Sequence, residues 1–154
     1  DPTWINHLGI FKRAGCLIVR YPYYNLQNRS VDFKAFLSSI HELPKNSALL
    51  LHAVCHNPTG SDLSQEQWKE LSQHLLKKDI FPIFDFAYQG FGVGVEEDRS
   101  AIQIFLEDGH EMIVAYSCSK NFSLCRQRLG AILAVGDSPK IAINVRSQIK
   151  SVIR

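Results

Sequence analysis

The sequence predicts a three-layer α/β fold in which a mostly parallel sheet carries helices on both faces. Strand-like and helix-like segments alternate along the chain, with no internal repeat and no low-complexity stretch. Strand, helix and strand at this spacing form parallel sheets with right-handed crossovers. The chain has 154 residues, of which 45% are hydrophobic, and this length supports one buried core rather than two domains.

The first part of the chain contains two predicted strands and one predicted helix. Residues 16–21 are rich in β-formers, which predicts a strand. Residues 31–42 carry apolar side chains at helical spacing and end before Pro44, which predicts a helix. Residues 48–54 form a continuous apolar run, as expected for a strand that is covered on both faces.

A long helix and a second buried strand follow. Ser64 is a good N-cap for a helix over residues 65–78, and Gln67 occupies the capping-box position three residues later. Residues 80–86 form another apolar run and predict a strand. Residues 100–107 predict a short helix.

The last part of the chain contains two predicted strands, over residues 111–116 and 129–135, and a final helix that Ser138 opens. Only twelve residues separate Tyr116 from Leu129. Because that length is marginal for a crossover helix, the connection favours an antiparallel last strand in the otherwise parallel sheet.

Composition and charge argue against several classes of function. The formal net charge is +2, with acidic and basic residues interspersed, so nothing indicates nucleic acid as a partner. The apolar runs are too short for a transmembrane helix, and no signal peptide is visible. The chain opens in mid-pattern at Asp1 without a starting Met, so we expect part of the N-terminus to be missing.

The cysteines indicate a reducing, cytoplasmic environment and no metal site. They are Cys16, Cys55, Cys118 and Cys125. None forms a Cys-x-x-Cys pair, and all lie in or beside apolar segments, as reduced and buried cysteines do. His52, Cys55 and His56 form the one cluster that could bind zinc, but no second group has zinc-site spacing. We therefore expect these three residues to serve packing or to support the side chains of a nearby site.

Polar residues follow three of the predicted strands, where ligands bind in open α/β sheets. Taken singly, each has an ordinary explanation. Asp85 could cap a helix or form a salt bridge, and Lys120 could be a solvated loop residue. Residues 57–60, Asn-Pro-Thr-Gly, could be a simple turn, and Arg128 could lie on the surface.

Taken together, these side chains match the needs of pyridoxal phosphate. A lysine that forms a Schiff base needs a partly desolvated, electropositive site. The pyridine nitrogen of the cofactor needs a carboxylate that keeps it protonated. The phosphate needs hydroxyls, backbone N–H groups and an arginine, and the phenolic oxygen needs neutral donors such as Asn or Tyr. The three strand ends supply this whole set.

Four sequence blocks, in matching order and spacing, resemble the aspartate/aromatic aminotransferase family of class I, fold-type I pyridoxal-phosphate enzymes. The blocks are residues 1–7, 52–60, 84–91 and 117–122. Residues 84–91, Phe-Asp-Phe-Ala-Tyr-Gln-Gly-Phe, followed by Ser-Cys-Ser-Lys-Asn-Phe at 117–122, are the most specific part. The resemblance covers essentially the whole chain. It implies transfer of the amino group of aspartate or an aromatic amino acid to 2-oxoglutarate.

The resemblance also implies a role for individual residues. Lys120, Asp85 and Tyr88 would be catalytic, with Lys120 holding the cofactor as a Schiff base and shuttling a proton. The cofactor would be bound by Trp4, His7, Asn57, Asp85, Tyr88, Ser117, Ser119, Lys120 and Arg128. Trp4 and Asn57 would also contact the substrate. His7 would hydrogen-bond to Asp85, with His52 nearby.

The chain departs from the family pattern just after the lysine. Relatives commonly read Lys-Asn-Phe-Gly-Leu-Tyr-Asn-Glu-Arg, whereas residues 120–128 read Lys-Asn-Phe-Ser-Leu-Cys-Arg-Gln-Arg. Ser123 therefore puts a Cβ atom where the backbone is expected to have a positive φ. Cys125 replaces an aromatic residue. The spacing from Lys120 to Arg128 is preserved, so the departures bear on rate and substrate range more than on the cofactor.

The resemblance implies that residues 1–154 are part of the cofactor-binding large domain of a longer, homodimeric enzyme. The N-terminal and C-terminal parts, with a phosphate-binding loop and the arginine that grips the substrate carboxylate, would be missing. Two alternatives stay open at this point. One is another fold-type I pyridoxal-phosphate enzyme, such as a β-lyase or a decarboxylase. The other is a non-catalytic homologue, which the departures at residues 123–127 suggest.

Overall fold

A computed structural model describes residues 1–153 and contains two sheets surrounded by helices. The helices are α1 (Asn6–Arg13), α2 (Phe33–His41), α3 (Gln65–Lys78), α4 (Ser100–Glu107) and α5 (Pro139–Ile153), with a short 3₁₀ helix at Glu97–Arg99. The strands are β1 (Tyr24–Asn25), β2 (Ser30–Val31), β3 (Ala48–His52), β4 (Phe81–Phe86), β5 (Met112–Ser117) and β6 (Gly130–Val135). Strands β1 and β2 form a small antiparallel hairpin.

The main sheet has the order β3-β4-β5-β6. Strands β3, β4 and β5 are parallel, and β6 runs antiparallel to β5. The antiparallel last strand is thus confirmed. The connection from β5 to β6 contains no helix, so the chain reverses at the same edge at which β5 ends.

The core lies on one face of this sheet. Side chains along β4 alternate between buried and half-buried, with Pro82, Phe84 and Phe86 on the buried face. Phe84 packs edge-on against Phe105 of α4, with ring centroids 5.0 Å apart. Helix α3 contacts both α2 and α4, and the three helices cover this face. Helix α5 contacts β6.

The expectation that the strands are covered on both faces holds only in part. Leu50, Ile83 and Ile113, which alternate with the buried positions, are half-buried. On the second side of the sheet, helix α5 contacts β6 and lines a groove with β5 and β6. The side chains of Ile132 and Leu133 on β6 are each 50% exposed. A large apolar surface therefore stays uncovered by the described part of the chain.

The predicted strand at residues 16–21 is wrong. The structure has no strand there, and the side chain of Leu17 is 94% exposed. A strand requires a hydrogen-bonded neighbour, and no other segment among residues 1–153 lies beside this one as a strand. The segment is attached instead through Tyr21, whose hydroxyl donates to the carbonyl oxygen of Leu50 at 2.6 Å.

The capping signal in the sequence gives the start of α3 correctly, whereas α2 begins two residues later than predicted, because Val31 belongs to β2. Ser64 accepts a hydrogen bond from the backbone N–H of Gln67, and the Gln67 side chain accepts from Ser64 N, which completes the predicted capping box. Helix α2 begins after Asp32, whose carboxylate accepts from Ala35 N at 3.1 Å. Helix α1 was not predicted. Among the described residues, no helix is both long enough and apolar enough to cross a membrane.

Candidate active site

Strands β3, β4 and β5 are parallel, so their carboxyl ends lie at one edge of the sheet. The register places their last residues side by side. His52 of β3 pairs with Asp85 of β4, and Phe86 of β4 pairs with Tyr116 of β5. Ser117 at the end of β5 lies opposite Gly130, where β6 begins. The loops that carry Asn57, Tyr88 and Lys120 therefore all leave from this edge.

Asp85 forms a hydrogen-bonded pair with His7 at this edge. The Oδ2 atom of Asp85 lies 3.0 Å from His7 Nε2, and the two side chains are 21% and 8% exposed. His7 is the buried residue of helix α1, so that helix serves to bring the imidazole under the sheet edge. Trp4 lies edge-on to the His7 ring at 5.2 Å and is 39% exposed.

Thr3 extends this pair into a hydrogen-bonded chain that the sequence did not reveal. Its Oγ1 atom lies 2.9 Å from His7 Nδ1 and 3.0 Å from His52 Nε2. The Nδ1 atom of His52 accepts from the backbone N–H of Asn57 at 3.5 Å. The one available signal was the spacing of Thr3 and His7, four residues apart.

The donors and acceptors in this chain have a single consistent direction. Because His52 Nδ1 accepts from Asn57 N, a neutral His52 carries its proton on Nε2 and donates to Thr3. The Thr3 hydroxyl then donates to His7 Nδ1, which leaves the His7 proton on Nε2, facing Asp85. The network thus orients an imidazole N–H towards the carboxylate and fixes the carboxylate in place.

Burial keeps the neighbouring histidines neutral. It lowers the pKa of His52 to about 4, an effect that Asp85 opposes and His7 reinforces. Burial also lowers the pKa of His56 to about 3, with His52 adding to the effect. The His56 ring stacks on Tyr23 at 4.0 Å, and its Nδ1 atom lies 2.9 Å from Thr59 Oγ1. Among residues 1–153 no group of His, Cys, Asp or Glu is arranged to hold a metal ion.

These two histidines are expected to make the fold acid-sensitive. Their folded pKa values lie below the usual 6.5, so the unfolded state binds more protons as the pH falls below that value. Their contribution to the free energy of unfolding is therefore fully present above about pH 6.5. It should fall by a few kcal/mol towards about pH 4. Denaturant unfolding at several pH values measures this slope. A His52→Gln variant whose free energy of unfolding still falls as steeply with pH as that of the wild type would contradict the role given to His52.

The loop that presents Asn57 is held by a second carboxylate. Asp62 accepts from the backbone N–H groups of Cys55 and His56, at 2.7 and 2.8 Å. Cys55 has a φ of +50°, and Gly60 N donates to the His56 carbonyl oxygen at 2.6 Å. The loop is therefore a tight, hydrogen-bonded turn, and it leaves the Asn57 side chain half-buried at the sheet edge.

Tyr88 and Lys120 face each other across the same edge. The Nζ atom of Lys120 lies 5.1 Å from the centroid of the Tyr88 ring, a cation–π distance. Lys120 is exposed and Tyr88 is half-buried. The described residues show no hydrogen bond between Lys120 and Asp85, so the structure brings each of these side chains to the edge without joining them directly.

The turn around Ser117 and Ser119 places polar groups beside Lys120. The backbone N–H of Ser119 donates to Ser117 Oγ at 3.2 Å, and the side chain of Cys125 contacts the Ser119 carbonyl oxygen at 2.8 Å. Ser123 has a φ of +55°, as expected, and Arg128 has a φ of +51°. Arg128 is exposed, and its guanidinium has no hydrogen-bond partner within residues 1–153.

The cysteines depart from the expectation of burial. All four are free, but Cys16 and Cys125 are exposed and Cys55 and Cys118 are half-buried. Cys125 lies on the loop from β5 to β6, which is exposed over most of its length. An apolar neighbourhood in sequence therefore did not ensure burial in three dimensions.

A second cluster of nucleophile-like residues lies elsewhere and serves packing. Ser72 Oγ lies 2.5 Å from Asp108 Oδ2 and 2.9 Å from His110 Nε2. Ser72 is fully buried, and the His110 ring stacks on Phe105 at 4.6 Å. Because a substrate cannot reach Ser72, this cluster joins α3 to the end of α4 and is not a reactive site.

Comparison with known proteins identifies the family. Residues 1–154 match the family described as Aminotransferase class I and II. The aromatic-amino-acid aminotransferase of Pseudomonas aeruginosa is 41% identical over 154 residues, which are 100% of this chain and 38% of that protein. The aspartate aminotransferase of Escherichia coli is 42% identical and is matched over 39% of its length.

A solved structure shares the fold closely. The aromatic-amino-acid aminotransferase from Burkholderia pseudomallei, covalently bound to pyridoxal phosphate, superposes with a TM-score of 0.98 at 40% identity. The match covers 100% of this chain and 39% of that protein. The chain thus spans about two fifths of the length of these relatives, and it belongs to the class I and II aminotransferase family.

Proposed function

We propose that this chain is part of the cofactor-binding large domain of a longer protein, the parent enzyme, which is a pyridoxal-phosphate-dependent aminotransferase. The parent enzyme would move the amino group of aspartate or an aromatic amino acid to 2-oxoglutarate. Relatives named for aspartate and for aromatic amino acids, each matched over 100% of the chain, support this breadth. The observation that carries the proposal is the half-buried Asp85 carboxylate, held by His7 at the sheet edge shared with Lys120.

The chemistry of the donor set fits the cofactor. The described residues give the Asp85 carboxylate one side-chain partner, His7 on Oδ2, so Oδ1 can accept from a protonated pyridine nitrogen. When bound, pyridoxal phosphate supplies an electron sink for the substrate's Cα electrons. The role of Asp85 would be to place a carboxylate oxygen against that ring nitrogen and keep the nitrogen protonated. His7 supports this role because its N–H donates to Oδ2 and holds the carboxylate in place.

Lys120 would attach the cofactor and, once released, carry a proton at Nζ to and from the substrate carbon. Both tasks require the neutral amine of a lysine, which is the form that acts as a nucleophile and as a base. Asn57 and Tyr88 would donate to the phenolic oxygen of the cofactor, since an amide and a phenol can both donate without carrying charge. Asn57 and Trp4 would also border the substrate.

Ser117, Ser119 and Arg128 would hold the phosphate group. The Ser117 hydroxyl and the Ser119 backbone N–H already lie 3.2 Å apart in one turn, and Arg128 would add a charged fork. The remaining phosphate and substrate ligands would come from outside residues 1–154. We also propose that the parent enzyme is a cytoplasmic homodimer. Four free cysteines support a reducing compartment, and the exposed apolar face of β6 supports assembly with further chain.

The proposal is tested by the absorption spectrum and turnover of the parent enzyme. Aspartate should remove the visible band of the bound cofactor, and 2-oxoglutarate should restore it, because transamination has two half-reactions. The same titration with an aromatic amino acid compares the two donor classes. A β-lyase or a decarboxylase would release pyruvate or CO₂ without requiring an oxo acid acceptor. A protein that binds no cofactor would exclude all of these enzymes.

The 154-residue chain expressed alone is expected to bind pyridoxal phosphate weakly and not to transaminate. A phosphate needs several converging donors, and within residues 1–153 we assign this role to Ser117, Ser119 and Arg128. A groove of about 820 Å³ between β5, β6 and α5 is open to solvent and mainly apolar, so the isolated chain should also aggregate. A coupled assay with aspartate and 2-oxoglutarate, run beside the parent enzyme, checks this. Turnover equal to that of the parent enzyme would contradict the division of the site.

A further inference from the structure

The loop after Tyr88 is organised around a single buried carboxylate, Asp98. This loop, residues 89–95, reads Gln-Gly-Phe-Gly-Val-Gly-Val and is called the glycine loop below. The Oδ2 atom of Asp98 accepts from the backbone N–H groups of Gly90 and Gly92 at 2.8 and 2.9 Å. Its Oδ1 atom accepts from Val93 and Gly94 at 2.8 and 3.4 Å. Asp98 is only 4% exposed.

The glycines of the loop are matched to this carboxylate. Gly90 has a φ of +90°, a conformation that side chains rarely adopt. A Cβ atom on Gly92 would lie 2.5 Å from Asp98 Oδ1 and 2.8 Å from the Val54 side chain. Burial raises the pKa of Asp98, but the hydrogen bonds from Gly92, Val93 and the other two amides outweigh it and leave the pKa below its usual value. Asp98 is therefore ionised at neutral pH and holds the loop in one conformation.

The glycine loop is continuous with Tyr88 and packs against the segment that leads to Asn57. The backbone N–H of Phe91 donates to the Tyr88 carbonyl oxygen at 3.1 Å, and the two rings meet edge-on at 6.4 Å. Gly92 lies against Val54, three residues before Asn57. Asp98 thus fixes the backbone directly after Tyr88, whose ring faces Lys120.

We infer that Asp98 is a positioning residue that acts through the glycine loop to hold the Tyr88 hydroxyl in place against the cofactor. The inference rests on the proposed function, because it needs the phenolic oxygen of pyridoxal phosphate as the acceptor for Tyr88. Asp98 itself touches neither substrate nor cofactor. Its four amide hydrogen bonds set the position of the loop, and the loop sets the position of the Tyr88 side chain.

The test uses the pH midpoint of the cofactor's absorbance in the parent holoenzyme. A donor to the phenolic oxygen stabilises the anionic form, so its loss raises this midpoint. Tyr88→Phe should raise it by about one pH unit, and Asp98→Asn should raise it by roughly half as much. In the Tyr88→Phe background, Asp98→Asn should add nothing, because residues that act through one another are not additive. Glu97→Gln, the same change at the exposed neighbouring residue, should leave the midpoint unchanged.

Hydrogen exchange in the cofactor-free parent enzyme gives a second readout. Asp98→Asn should speed exchange of the Gly90, Gly92 and Val93 amides by about tenfold or more, because their acceptor is weakened. Faster exchange with an unchanged absorbance midpoint would overturn the inference and leave Asp98 purely structural. An equal midpoint shift in the presence and absence of Tyr88 would overturn it as well.

The two failures are distinguishable, and a second variant covers loss of folding. If the wild-type parent enzyme shows no cofactor band, the proposed function fails. If the band is present and responds to Tyr88→Phe but not to Asp98→Asn, only the inference fails. Should Asp98→Asn not fold, Gly92→Ala perturbs the same contact, because the added Cβ atom would clash with Asp98 Oδ1. It is expected to raise the midpoint in the same direction, and an unchanged midpoint would overturn the inference.

Discussion

In the parent enzyme, replacing Lys120 by alanine is expected to abolish both transamination and covalent attachment of pyridoxal phosphate. The Nζ atom of Lys120 is the amine that lies over the Tyr88 ring, at the same edge as Asp85 near the end of β4 and Asn57 in the loop after β3. Alanine can neither form the covalent bond nor carry the proton. Because Lys120 is exposed, the free energy of unfolding should fall by no more than about 1 kcal/mol, which is the contribution of a surface cation–π contact.

The measurements separate attachment from turnover. Borohydride reduction followed by peptide mass analysis should find the cofactor on the peptide containing Lys120 in the wild type and nowhere in the variant. Lys120→Arg keeps the positive charge but not the reactive amine, so it should be equally inactive. Lys140→Ala, at an exposed position on helix α5, is the matched control and should retain full activity. Normal turnover by Lys120→Ala would remove the residue from the mechanism.

The sequence predicted the sheet well because its strands and helix caps carry local signals. Residues 48–54 and 80–86 lie where β3 and β4 are found, and Ser64 caps α3 as its capping box indicates. The antiparallel β6 followed from the length of one loop. Each of these features depends on a short stretch of chain, so its signal can be recognised in one sequence.

Features that depend on distant partners were not accessible in the same way. Residues 16–21 have the composition of a strand, but pairing needs a neighbour that the described residues do not provide. Thr3 links two histidines 45 residues apart in the chain, and only the fold brings them together. Asp98 looks like one acid among several until its four amide partners are known.

Replacing Asp85 by asparagine in the parent enzyme is expected to lower the rate by several orders of magnitude while leaving the fold intact. Asparagine keeps an oxygen that can accept from His7 Nε2, so the buried imidazole N–H retains a partner. It has no negative charge, so the pyridine nitrogen loses its proton and the electron sink is weakened. Alanine should be equally slow and also less stable by roughly 1–3 kcal/mol, because the His7 N–H is left without an acceptor.

The comparison of the two variants decides whether Asp85 has a chemical or a structural role. Turnover with aspartate and 2-oxoglutarate is measured beside thermal unfolding for the wild type, Asp85→Asn and Asp85→Ala. A chemical role predicts that both variants lose activity and that Asp85→Asn unfolds close to the wild-type temperature. A structural role predicts that activity follows stability, with Asp85→Asn nearly as active as the wild type. A rate for Asp85→Asn within about tenfold of wild type, or 1.4 kcal/mol of barrier, would exclude the role proposed for the carboxylate.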